Sequence, residues 1–257
     1  MLEKDEFRQM LDGSQMVLAG LGEEFECSSY LKEQPRYMQI LEELQEEQYI
    51  WILPYIQYLF LRDYRPLGKA LTKLRDLLAD KNYFLLTTCM HGVLEDIGFK
   101  AERMVSPCGS WRKLQCCVGN CTGMKNVTLE FLEEIEAYIQ EKIRLHDICL
   151  PRCPDCGSDL HFNSLYSENY NEAGYREQWG MYMKWLQGTL NRKLCVLELG
   201  VSLKFPTVIR FPFEKTAFFN RKAQFIRVHE KLYQLSEELA DKGISQPENA
   251  VKFLNLI

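Results

Sequence analysis

The sequence lacks any excess of positive charge: 31 Lys and Arg stand against 36 Asp and Glu, a net charge of -5 over 257 residues. A nucleic-acid binder needs a basic face to neutralise phosphates, so no nucleic-acid partner is expected. Long hydrophobic runs are missing too. The longest, Tyr49 to Leu61, is interrupted by Pro54 and Gln57; it is too short and broken to span a bilayer and reads as core helix. The amino terminus, Met-Leu-Glu-Lys-Asp-Glu, is too charged for a signal peptide, so a cytoplasmic location without a membrane partner is expected. In that reducing compartment the 10 cysteines do not read as a disulfide framework. The sequon Asn126-Val127-Thr128 then reads as chance, with Thr128 capping the helix that follows.

A hydrophobic share of 46% is enough for one full core, with room for a smaller insertion. Residues 2–12 place Leu2, Phe7, Met10 and Leu11 at helical spacing before the stop at Gly13. Met16 to Ala19 form an apolar strand that runs into Gly20-Leu21-Gly22-Glu23-Glu24. A strand followed by glycines opens a dinucleotide-binding unit, where missing side chains let backbone approach a pyrophosphate. A plain tight turn fits these residues equally well, and Glu23 and Glu24 would repel phosphate if they faced it. Tyr37 to Leu61 reads as helical, with Glu42, Glu43, Glu46 and Glu47 on its solvated side, and a second amphipathic helix follows Pro66.

The central stretch is Phe84 to Phe99, F-L-L-T-T-C-M-H-G-V-L-E-D-I-G-F. Its apolar start reads as a strand buried on both faces, and Thr87, Thr88, Cys89, His91 and Gly92 gather at its carboxyl end, where open α/β sheets place ligands. Farther on, Cys116, Cys117 and Cys121 precede Cys153-Pro154-Asp155-Cys156-Gly157. Two short cysteine groups about thirty residues apart make the knuckles of a tetrahedral zinc site. Cys121, Cys153 and Cys156 are three of its ligands, and either Cys116 or Cys117 completes the set. With no histidine at ligand spacing, the site reads as structural, and Leu129 to Leu145 as a helix packed across it.

From Tyr166 to Trp185 aromatics accumulate, and Trp179, Tyr182 and Trp185 lie three apart, a helix face packing on the sheet. Leu194 to Leu199 is a second buried strand, entering Gly200-Val201-Ser202-Leu203; Phe225 to Val228 is a third, ending at His229-Glu230. A helix is expected over Lys231 to Lys242, and a capping box at Ser245 and Glu248 before the last helix. The pattern predicts an α/β doubly wound parallel sheet whose strand ends meet at one crevice. The division is residues 1–104 and 161–257 for a Rossmann-like domain, and 105–160 for a small zinc-binding module.

These residues resemble a sirtuin. T-T-C-M-H-G-V-L-E-D-I-G lies without a gap over the family's T-Q-N-I-D-G-L-H-x-x-A-G. Gly109-Ser110 leading to Cys116 resembles the family's H-G-S before its first zinc cysteine, and Gly200-Val201-Ser202-Leu203 resembles the G-T-S-L turn that contacts the dinucleotide. E-L-G-V-S-L-K-F-P-T-V-I-R-F-P-F is most similar to the matching segment of the macrodomain-linked, ADP-ribosylating microbial sirtuins. The resemblance spans roughly Met16 to His229. It implies NAD as substrate, structural zinc, a protein acceptor, and dinucleotide contacts at Gly20, Gly22, Glu23, Thr87, Thr88, Gly200, Val201, Ser202 and His229. The catalytic motif departs from the family's: Cys89 replaces its Asn, His91 its Asp and Leu94 its general-base His, and the first loop lacks its G-A-G-I-S. His91 is then the candidate acid or base and Cys89 a ribose-positioning group or nucleophile. The expected activity is NAD-dependent ADP-ribosyl transfer with nicotinamide release; the alternative is an inactive sirtuin-shaped module that binds a nucleotide or scaffolds a partner.

Overall fold

In the computed structural model, which describes residues 4–257, the apolar runs line up as one six-stranded sheet. The strands in chain order are β1 (Met16–Leu21), β2 (Asn82–Thr87), β3 (Met104–Val105), β4 (Gly109–Cys116), β5 (Met124–Asn126), β6 (Leu160–Ser164), β7 (Leu194–Leu199), β8 (Ala223–Val228) and β9 (Gly243–Gln246). The large sheet has the order β3-β2-β1-β7-β8-β9, and each neighbouring pair is parallel. Connections turn one way from β1 through β2 to β3 and the other way from β7 to β9, so the order reverses between β1 and β7. That is the doubly wound arrangement expected from the sequence, and its switch point is where such sheets hold ligands.

Side-chain alternation explains why these strands are apolar throughout. Val17, Ala19, Leu21, Leu85, Leu197 and Ile226 enter one core, with Leu67, Leu71 and Leu74 of the helix Arg65–Leu78. Leu18, Phe84, Leu86, Val196 and Phe225 enter a second core on the opposite face, against Tyr182 and Trp185 of the helix Arg176–Gln187. Both faces are covered, so neither can be polar. Two charges interrupt this rule. Glu198 on β7 and Arg227 on β8 are paired in register and almost fully buried, with Arg227 Nε donating to Glu198 Oε1 at 2.6 Å and Nη2 to Oε2 at 3.0 Å. Arg227 Nη2 also meets Glu214 at 2.6 Å, and Arg210 reaches Glu198 at 3.4 Å.

A second, antiparallel sheet of three strands, β5-β4-β6, stands beside the first. Its last strand runs to Ser164, beyond the expected limit at residue 160. Thr128 caps the helix Leu129–Ile139 between β5 and β6, its Oγ1 accepting from Phe131 N–H.

Several local expectations are corrected. The first helix is Lys4–Asp12, and Leu2 lies outside the described residues. Tyr37 to Leu61 is divided into the helices Pro35–Glu46 and Leu53–Leu61, with Gln48 at φ +60° between them. The helix between β5 and β6, which begins at Leu129, ends at Ile139 rather than Leu145. No helix spans 231–242; only a short 3-10 turn, Glu237–Leu239, precedes β9. The reason is competition for backbone groups. His229 Nδ1 accepts from the N–H of Lys231 and of Leu232, Arg210 donates to Leu232 O, and Arg227 donates to Gln234 O. Groups bound in this way are not free to make helix bonds. Ser245 lies in β9, and Asn249 caps the last helix, Ala250–Leu256, accepting from Val251 and Lys252 N–H. Among the described residues no helix is long and apolar enough to cross a membrane.

Glu198→Leu leaves the Arg227 guanidinium buried without its bidentate partner, and should cost about 3 kcal/mol of unfolding free energy in urea. Adding Arg227→Met removes the orphaned charge and should restore part of that loss.

Candidate functional site

At the switch point the loops after β1 and β7 touch. A Cβ on Gly22 would fall against Val201 Cα and, at 2.5 Å, against Gly200 O; a Cβ on Gly200 would meet Glu24 Cβ at 2.6 Å. Gly200 also has φ +60°, in the left-handed region that glycine tolerates. Both glycines are therefore demanded by the approach of one loop to the other. Gly20 is different: it lies within β1, packed against Ile209 and Phe213, and not at the crevice.

With the loops held so close, Glu23 and Glu24 turn inward. Glu23 Oε1 accepts from Thr88 Oγ1 at 3.0 Å and its Oε2 from Ser202 N–H at 2.8 Å. Glu24 Oε1 accepts from Glu230 N–H at 2.9 Å and its Oε2 from Ala250 N–H at 2.7 Å. Thus the ends of β2, β7 and β8 and the start of the last helix each supply one donor. The Glu24 side chain is 10% exposed, and burial raises its pKa against the pull of those two backbone bonds. Its neighbour Glu26 is buried, its pKa raised likewise by burial, and lies 3.8 Å from Lys204 Nζ, which sits over the Tyr166 ring.

The structure brings Gly22, Glu23, Thr88, Val201, Ser202 and His229 to this crevice. Val201 is buried, its carbonyl accepting from Arg210 Nη1 at 3.0 Å. His229 Nδ1 is occupied by two backbone donors, so it has no proton to share with Glu24 Oε1 3.3 Å away; burial, and then the Arg210 charge, lower its pKa. Thr87 instead faces its own turn, Oγ1 accepting from Cys89 N–H.

Cys89 and His91 lie behind the first loop rather than in the open crevice. Cys89 is 2% exposed, its Sγ 3.2 Å from Gly22 O, and burial pushes its pKa well above the usual thiol range. A neutral thiol of this kind is a packing group, not a nucleophile. His91 is 0% exposed; Nε2 bonds Phe25 O at 3.2 Å and Nδ1 accepts from Val93 N–H at 3.2 Å. Both ring nitrogens are thus used by backbone, and burial pulls the pKa down to about 4. From the small sheet, Trp111 Nε1 donates to His91 O at 2.9 Å and Arg112 Nη2 to Gly92 O at 3.0 Å, bracing the turn from outside.

Cys116, Cys121, Cys153 and Cys156 converge, all four Sγ atoms within 4.8 Å of one another. The pairs Cys116–Cys156 and Cys121–Cys153 are 3.5 and 3.6 Å apart. Zinc–sulfur bonds of about 2.3 Å give tetrahedral edges of about 3.8 Å, so the set could hold zinc with no open position. Of the two candidates that the spacing left open, Cys116 lies with the other three thiols and Cys117 lies outside the cluster, its N–H bonded to Asp159 O.

An open cavity of about 420 Å³ lies beside the two glutamates, lined by Tyr30, Tyr64, His229 and Asn249 among others. A larger hollow of about 670 Å³, near Met16, Asn82 and Trp185, opens at the amino-terminal ends of the strands, away from the switch point. Sequence reasoning missed Glu24 as an internal acceptor and the Arg210–Glu198–Arg227 set beneath the loops. Single opposite charges inside two apolar strands were the available signal.

No model of a known protein family matches the chain. Solved structures cover nearly all of it: a sirtuin studied for its substrate affinity gives a TM-score of 0.58 at 15% identity, over 99% of this chain and 96% of that one. A Sir2 bound to a p53 peptide and NAD+ gives 0.58 at 14% identity, over 99% and 96%. The chain has the sirtuin fold, as its motifs implied. In sequence it is similar to a protein ADP-ribosyltransferase of Staphylococcus aureus, 20% identical over 187 residues, 72% of this chain and 59% of that protein. It is similar also to a probable bifunctional ADP-ribose hydrolase/ADP-ribosyltransferase of Fusarium oxysporum, 28% identical over 138 residues, 51% of this chain and 23% of that protein. The chain thus spans 59% and 23% of the lengths of these curated relatives.

The burial of His91 has a pH signature. Its folded pKa is below the ordinary 6.5, so the stability it contributes is complete above that value and is lost as pH falls toward about 4. The full loss is about 3 kcal/mol, and about 2 kcal/mol of it should appear between pH 7 and pH 5. Urea midpoints of the wild type should fall over that range more steeply than those of His91→Gln; parallel profiles would show that His91 is not held neutral.

Proposed function

We propose that this chain binds NAD at the β1–β7 switch point and transfers ADP-ribose to a protein acceptor, releasing nicotinamide. One observation carries this reading: a sirtuin fold whose loop glycines meet over donors from the ends of β2, β7 and β8, in a chain whose similar sequences are named ADP-ribosyltransferases. In the reaction the bond from ribose C1′ to the nicotinamide nitrogen breaks, and nicotinamide leaves with the bonding pair. The acceptor's nucleophile then forms a new bond to C1′ and releases its proton to solvent. The cation-like ribose in between is served by orientation and fixed charge. Neither Cys89 nor His91 moves a proton in this scheme; they keep the shape of the turn that ends β2.

The segment 105–160, extended to Ser164 so that it takes in the whole of β6, acts as a zinc module set into a dinucleotide-binding domain made of the rest of the chain. The zinc, when bound to Cys116, Cys121, Cys153 and Cys156, ties the ends of β4 and the loop before β6 together and takes no part in the chemistry.

A second reading is favoured by the burial of His91 and Cys89: a sirtuin-shaped module that binds a nucleotide, or scaffolds a partner, without turnover.

Incubation with NAD and a mixed protein acceptor should give free nicotinamide by mass spectrometry and radiolabelled ADP-ribose on protein. Nucleotide binding with neither product would select the second reading. Elemental analysis should find one zinc per chain, and Cys153→Ser should lose it, with a lowered melting temperature; an unchanged melting temperature after zinc removal would refute its structural role.

A further inference from the structure

We propose that Glu23 and Glu24 are built-in surrogates for a diphosphate: they hold its hydrogen-bond donors and bar ADP-ribose and NAD until both side chains swing out. The proposal rests on the reading of this crevice as the dinucleotide site, and goes beyond it by naming what decides entry. A diphosphate presents several anionic oxygens spaced a few ångströms apart, and a site for it collects N–H and O–H donors from neighbouring loops. Here such a collection exists, in Thr88 Oγ1 and the N–H groups of Ser202, Glu230 and Ala250, and every one is bonded to a glutamate oxygen at 2.7 to 3.0 Å. The two carboxylates thus stand where anionic oxygens would stand.

Charge reinforces the exclusion. Glu23, Glu24 and Glu26 lie within four residues of the loop, and two of the nearby cations are committed: Lys204 to Glu26 at 3.8 Å, and Arg210 to Glu198 and to Val201 O. A phosphate entering beside the glutamates would meet the repulsion of three carboxylates, against one cation, the exposed Lys252, on the wall of the cavity. Room for a displaced carboxylate is at hand, because Glu23 and Glu24 both line the open cavity of about 420 Å³.

The test is equilibrium binding of ADP-ribose and of adenosine to the full chain and to Glu23→Ala/Glu24→Ala, with zinc content and circular dichroism reporting the fold. The double variant should bind ADP-ribose at least tenfold more tightly than the wild type, while adenosine, which has no phosphate, changes less than twofold. Should the double variant not fold, Glu23→Gln keeps the side chain's size and drops its charge, and should raise ADP-ribose affinity about threefold. Equal ADP-ribose affinity in wild type and variants overturns the surrogate role and leaves the dinucleotide reading standing. A folded double variant that binds neither ADP-ribose nor NAD overturns both.

Discussion

Everything at the switch point follows from one close approach, that of Gly22 to Gly200 and Val201. It fixes the loop after β1 against the loop after β7 with no space for a β-carbon between them. Glu23 and Glu24 are carried to the ends of three strands, where unpaired donors wait. Partly buried carboxylates are held when their oxygens are bonded, and each of these makes two bonds. The network under the loops serves the same geometry. Arg210 grips Val201 O and Leu232 O while Arg227 grips Gln234 O, so the loops after β7 and β8 are tied to a buried ion cluster instead of to water.

Much of this was legible in the sequence because parallel strands buried on both faces leave a plain mark. Met16 to Ala19, Phe84 to Leu86, Leu194 to Leu199 and Phe225 to Val228 are apolar on successive residues but for Glu198 and Arg227, and each lies in a strand of the central part of the sheet. The cysteine spacing was equally direct, since four thiols need few residues between them to meet. Edge strands were not legible. β3 has two residues and β9, Gly243–Gln246, has no apolar repeat, so neither differs from a loop until a neighbour pairs with it. The expected helix over 231–242 failed for a related reason: its periodicity is real, but side chains from distant elements claim its backbone.

The candidate chemistry shows where residue type misleads. His91 and Cys89 sit where the motif puts reactive groups, yet solvent access and hydrogen-bond partners decide reactivity, and neither can be read from a single chain. Their ring and thiol are consumed by the backbone of the first loop, at Phe25 O and Gly22 O. Conversely, Glu23 and Glu24 looked like an obstacle to a phosphate ligand because two negative charges repel a third. That inference about sign was sound; what it missed was that the pair would fold inward onto the donors.

The braces from Trp111 and Arg112 give the small sheet a mechanical reach beyond its own core. Trp111 packs against Tyr55 and Tyr58 at 4.9 Å from each, and from there both residues of β4 hold carbonyls of the turn that ends β2. The same strand finishes at Cys116. One strand, irregular in its pairing between Gly109 and Leu114, therefore joins the sulfur cluster to a turn belonging to the other sheet, and the two sites share a continuous stretch of backbone.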